Sequence, residues 1–86
     1  MIMNTGIDKS GIAARVRTII VEKLGVDEAG LKDTATFAND LGLDSLDVLE
    51  TLIALEKEFG IKIMDEDAER LTTVGSVINY IKARTR

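Results

Sequence analysis

The sequence predicts an all-α fold: a small four-helix bundle of three main helices and one short helix, with a long loop between helices 1 and 2. Three observations point there. Apolar residues recur at helical spacing in three separate stretches. Proline is absent, and Gly25 and Gly60 stand where two of those stretches end. The chain is 45% apolar but holds only one Tyr, two Phe and no Trp, so its core is aliphatic, suited to packing between helices. At 86 residues there is room for one core, and 1–86 reads as a single domain, with 1–7 and 84–86 as flexible ends.

The first helix is expected from Ser10 to Leu24. Ile12, Val16, Ile19, Ile20 and Leu24 share a face, Ser10 can cap the start, and Gly25 suits a left-handed stop. Residues 25–43 lose that periodicity. Val26, Leu31, Phe37 and Leu41 are the expected anchors of this loop, and a long ordered loop in a small domain is often functional. The second helix is expected from Ser45 to Phe59, capped by Asp44 and stopped by Gly60. Ile61-Lys62-Ile63 reads as a short extended link. Asp65 is the expected cap of a brief third helix through Leu71. Thr73 caps the fourth, where Val74, Val77, Ile78 and Ile81 form one apolar stripe.

The second helix carries two stripes. With Leu46 at 0° and about 100° per residue, Val48, Leu52, Leu55 and Phe59 fall between roughly 180° and 240°. Leu46, Leu49 and Ile53 fall between roughly 300° and 360°. The first stripe is the core face. The second, fringed by Asp47, Glu50, Glu56 and Lys57, has two readings. It lies beneath the loop or the third helix, or it is a docking face for a partner. The acidic fringe favours docking.

Charge is unevenly spread. Residues 25–71 hold thirteen acidic and four basic side chains, while the flanking segments are net basic, and the whole chain sums to −4. An acidic middle disfavours nucleic acid and anionic membrane and favours partners with basic surfaces, although acids also simply solubilise a small domain. With no Cys and no His, disulfides, thiolate metal sites and the commonest general base are excluded, so neither an enzyme nor a metal centre is expected. No apolar run approaches the roughly 20 residues that span a bilayer. The first residues lack the basic flank and apolar run of a signal peptide, so the expected compartment is the cytoplasm.

Ser45 stands at the start of the second helix. A serine there is usually a cap. A helix N-terminus also offers unpaired N–H groups and a positive dipole end to an anion, so a phosphodiester is permitted at this point without being required.

The run Asp40-Leu41-Gly42-Leu43-Asp44-Ser45-Leu46-Asp47 resembles the attachment motif of acyl carrier proteins. The likeness continues in order through Glu50, Ala54-Leu55-Glu56, Glu58-Phe59, Asp65-Glu66, Leu71-Thr72-Thr73-Val74 and Tyr80-Ile81. This resemblance to the type II, stand-alone carriers implies a covalent 4′-phosphopantetheine on Ser45, flanked by Asp44 and Leu46. It would be installed from coenzyme A by a Mg²⁺-dependent phosphopantetheinyl transferase. The arm's terminal thiol would carry acyl intermediates as thioesters, an imported sulfur for a chain with no Cys. It further implies a monomer whose second helix is read by acyl-transfer and chain-elongation enzymes with basic docking surfaces. The acyl chain, as cargo, can fold back between the helices. Leu46, Asp47, Leu49, Glu50, Ile53 and Glu56 are the expected docking residues, with Glu66 and Glu69 beside them.

Lys57, Thr51 and Met64 depart from the pattern most familiar in fatty-acid synthesis, so specialised lipid or polyketide synthesis stands beside fatty-acid synthesis as the expected pathway. Two other functions stay open at this point: an aminoacyl or peptidyl carrier, and an unmodified helical interaction module in which Ser45 only caps.

Overall fold

In the computed structural model, residues 9–85 are described, and they form four helices and no strand. They are α1 (Lys9–Leu24), α2 (Ser45–Phe59), α3 (Asp65–Ala68) and α4 (Val74–Arg84), with one 3-10 turn at Glu28–Gly30. The end expected to be flexible at 1–7 lies outside the described residues, apart from which the bundle has the predicted composition of three main helices and one short one.

The core forms where the apolar stripes of α1, α2 and α4 meet. Ile12, Val16 and Ile20 of α1, Leu52 and Leu55 of α2, and Val74, Val77, Ile78 and Ile81 of α4 are all buried. Ile19, Leu24, Val48 and Phe59 pack around them, half-buried. α1 packs on both α2 and α4. Ion pairs add little to this: Arg15 of α1 reaches Glu58 of α2 at 2.7 Å, but both side chains are solvated.

Helix ends follow local chemistry where the side chains allow it. Gly25 and Gly60 adopt φ of +68° and +65°, the left-handed conformation that closes α1 and α2 with little steric cost. Lys57 sits in the last turn of α2, where a cation is favoured by the helix dipole. Thr51, the polar residue on the edge of the core stripe, is buried, and its hydroxyl donates to the Asp47 carbonyl at 2.9 Å. That bond satisfies a group that would be costly to bury unpaired.

Four boundaries differ from expectation. α1 already includes Lys9, so Ser10 lies inside the helix rather than before its start. Asp65 is the first helical residue of α3 rather than its cap; Met64 takes the cap position without a side-chain bond. α3 also stops at Ala68 instead of Leu71. Its hydrogen bonding tightens from Glu69 N–H to Asp65 O into Arg70 N–H to Asp67 O and Leu71 N–H to Ala68 O. The tightened turn delivers Leu71 into the core. At the other end, α4 continues through Arg84, which was expected in a frayed tail. Its guanidinium lies 4.3 Å from the centroid of the Tyr80 ring and 3.3 Å from the Asp67 carboxylate.

Candidate functional site

The loop before α2 is held by backbone rather than by periodic side chains. Leu31, Ala35 and Phe37 are buried, with Val26 and Leu41 half-buried. Residues 33–37 then dock on the start of α4. The N–H groups of Val74 and Gly75 donate to the carbonyls of Ala35 and Asp33 at 3.1 and 2.8 Å. The Phe37 N–H donates to the Thr72 carbonyl at 3.0 Å. Ser76 N–H bonds the Thr73 hydroxyl, and Ser76 returns a contact to Thr73 N–H, each at 3.1 Å. The first N–H groups of α4, orphans in an isolated helix, are thereby satisfied.

Asp40 secures the far side of this loop. Its carboxylate accepts from the Thr36 N–H at 2.8 Å and from the Thr36 hydroxyl at 3.2 Å. Gly42, at φ +66°, turns the chain, and the Leu43 N–H donates to the Phe37 carbonyl at 2.9 Å. The chain therefore enters α2 from a pinned position.

At that entry Asp44 is the cap, as expected. Its carboxylate accepts from the Asp47 N–H at 2.9 Å, and Asp47 reaches back to the Asp44 N–H at 3.4 Å, a capping box. Ser45 is the first helical residue and is exposed. Among the described residues its hydroxyl makes no hydrogen bond, so the capping role that a serine usually takes at a helix start belongs here to its neighbour. Nor do the backbone N–H groups of Ser45 and Leu46 find an acceptor among the described residues. They face outward at the positive end of α2, where an anion is favoured.

Beside Ser45 opens a groove of about 830 Å³. The start of α2 forms one wall through Leu46, Leu49 and Leu52. The loop closes a second side through Phe37 and Asn39, and the α3 segment a third through Ala68 and Glu69. Its lining is mostly apolar. Asn39 and Ala68 were not singled out as site residues from sequence, because their approach to Ser45 is purely tertiary, whereas Glu69 was expected only as a docking residue.

The second stripe of α2 is on the surface: Leu46, Leu49 and Ile53 are 60%, 50% and 42% exposed. Met64, at 47%, is a further exposed apolar side chain and was not foreseen. The expected acidic docking residues differ in their freedom. Glu50, Glu66 and Glu69 are exposed. Asp47 is occupied at the cap. Glu56 is half-buried, and its carboxylate accepts the Ile63 N–H at 2.7 Å, so it ties the link after α2 back onto the helix. Among the described residues, no group of three or more His, Cys, Asp or Glu could hold a metal ion.

A free serine hydroxyl, two unpaired N–H groups beside it and an adjoining groove suit a phosphate-linked arm. The sequence agrees: a family model described as a phosphopantetheine attachment site matches residues 14–81. The chain belongs to that family. Its domains take 4′-phosphopantetheine covalently and act as non-catalytic carriers, and this chain is accordingly a phosphopantetheine carrier. A phosphopantetheine carrier works with partner enzymes, transferases among them. No helix among the described residues is long and apolar enough to cross a membrane.

Proposed function

We propose that this carrier is an acyl carrier protein, modified on Ser45, which presents acyl chains to the enzymes of fatty-acid or specialised lipid and polyketide synthesis and catalyses no step itself. The observation that carries the reading is the hydroxyl of Ser45, exposed and unused in the first turn of α2 because Asp44 has taken the cap.

Each neighbouring group then has a part. Asp44 holds the first turn of α2 rigid, so the Ser45 oxygen is offered to a phosphopantetheinyl transferase in one orientation. The N–H groups of Ser45 and Leu46 donate toward the phosphate. The arm supplies a terminal thiol that holds an acyl group as a thioester. Leu46, Leu49 and Leu52 line the apolar wall along which an acyl chain would rest.

Partners dock on Leu46, Leu49 and Ile53. Asp47, Glu50 and Glu56 steer basic surfaces toward that face, with Glu66 and Glu69 on the neighbouring α3 segment. Glu50 contributes most, being exposed and outside the internal bonds that occupy Asp47 and Glu56. The carrier works as a cytoplasmic monomer.

An acyl cargo, rather than an aminoacyl or peptidyl one, is supported by the mostly apolar lining of the groove and the acidic face of α2. Intact mass spectrometry of the protein isolated from its own host tests this. Acyl masses added to the arm are expected, and aminoacyl masses would overturn the acyl assignment.

A further inference from the structure

We propose that Asp67 positions the α3 wall of the groove beside Ser45 by fastening α3 to the C-terminal half of α4. The significance of the groove rests on the reading of Ser45 as the arm-bearing residue; the fastening itself does not.

α3 is short, and none of its four residues is buried. A single helical turn without a buried face has little intrinsic stability, so other contacts must hold it. The chain is pinned before it, where Glu56 accepts the Ile63 N–H, and after it, where Leu71 enters the core. Between these anchors, Asp67 ties the turn to α4. Its carboxylate accepts from the Tyr80 hydroxyl at 2.8 Å and contacts the Arg84 guanidinium at 3.3 Å. Arg70, at 2.8 Å, covers the other carboxylate oxygen from the end of the same segment. Arg84 stacks over the Tyr80 ring at 4.3 Å, so the two donors from α4 brace one another.

The Tyr80 bond, followed by the Arg70 bond, holds the Asp67 carboxyl below its ordinary range, as expected for a carboxylate whose charged form is the one being gripped. The Asp67 side chain is only 19% exposed, and its bond to Tyr80 is half-buried while its contacts with Arg70 and Arg84 are open to solvent, so the Tyr80 bond is the one that water competes with least.

The residues that follow Asp67, Ala68 and Glu69, line the same groove as Ser45. Releasing Asp67 frees this wall while α1, α2 and α4 keep their shared core. The tie thus sets the width of the space offered to the arm and its cargo, and it does so from the side of α3 that the cargo does not touch.

Two readouts test this, both on protein that carries no arm. Amide hydrogen exchange of Tyr80→Phe is compared with the parent chain. Loss of one bond to a charged acceptor is expected to speed exchange at Glu69, Arg70 and Leu71 by about tenfold, with the amides of Leu55 and Ile81 unchanged. The absence of native Cys permits spin labels at Ser45→Cys and Glu69→Cys, whose separation reads the groove directly. Tyr80→Phe is expected to lengthen and broaden that distance distribution. Arg84→Gln, at the longer contact, should do the same to a smaller degree, and it serves if Tyr80→Phe does not fold. An unchanged distance distribution overturns the proposal. So does exchange that accelerates uniformly through the core, which would make Asp67 a general stabilising residue. Neither outcome depends on whether Ser45 accepts the arm, which is weighed separately by mass.

Discussion

The Asp44 carboxylate accepts the Asp47 backbone N–H at 2.9 Å while the Asp47 carboxylate approaches the Asp44 N–H at 3.4 Å. The two residues flank Ser45 and Leu46, so the capping box closes around the pair without using either side chain. Two acids next to a serine would be expected to repel a phosphodiester. Here both are directed at backbone donors, and the N–H groups of Ser45 and Leu46 are what remain facing outward.

Asp44→Ala removes the cap. Loss of such a cap costs about 1 kcal/mol, which for a domain of this size lowers Tm by about 4–8 °C. Asp44→Asn should keep most of the stability, because an amide oxygen can still accept from Asp47. Thermal unfolding followed by circular dichroism distinguishes the two. Transfer of the arm to Ser45 should slow in the Ala variant even at temperatures where it is fully folded.

Gly75→Ala should be costly although the position is helical. A Cβ there would lie 2.9 Å from the Asp33 carbonyl oxygen and 3.1 Å from Asp33 Cβ, so the loop must retreat from α4. A loss of about 1–3 kcal/mol is expected in urea unfolding. Gly30→Ala, with nothing within 4 Å of the added carbon, is the matched control and should be close to neutral.

The exposed stripe and the buried stripe of α2 should separate cleanly. Leu55 is fully buried, and Leu55→Ala should cost about 2–5 kcal/mol. Ile53→Ala should change stability by less than about 1 kcal/mol yet weaken transfer from a cognate enzyme with little salt dependence. Glu50→Lys should slow the same transfer at low ionic strength and recover as salt rises. Transfer kinetics at two salt concentrations check both.

Acid should act on the Asp67 tie. Its folded pKa is depressed below the ordinary value of 3.8, chiefly by the Tyr80 hydroxyl and then by Arg70. A depressed carboxylate pKa stabilises the fold above its unfolded pKa, and that stability is lost as pH falls through the folded value. Tyr80→Phe should therefore be less stable than the parent chain at neutral pH, with the gap narrowing below about pH 4. Denaturant midpoints across pH 2–7 report it; a gap constant over that range would contradict the tie.

Much of this was visible in the order of residues, and the exceptions have a common cause. α2 could be read from end to end because Asp44, Gly60 and two aliphatic stripes are local signals, spaced by the helix itself. The same periodicity set Leu46, Leu49 and Ile53 apart as a second stripe, but left it open between burial and exposure, and it was the acidic fringe that favoured the surface. The docking of residues 33–37 on α4 could not be read, because it is made of backbone carbonyls meeting backbone N–H groups, which leave no side-chain trace. Only Gly75, where a side chain would not fit, hints at it. Glu56 looked like one more acid of a docking fringe, since the Ile63 N–H that it accepts lies seven residues away across a turn. α3 was drawn too long for a related reason: Asp65, Glu66 and Asp67 suit a helix start, but the end is fixed by the pull of Leu71 into the core.

The assignment of Ser45 is tested most directly by weighing the intact protein after incubation with coenzyme A and a promiscuous phosphopantetheinyl transferase, alongside Ser45→Ala. The parent chain should gain the mass of one phosphopantetheine and no more, and Ser45→Ala should gain none while keeping its helical circular dichroism. A Ser45→Ala protein that still takes up the arm, at Ser76 or any other hydroxyl, would contradict the assignment.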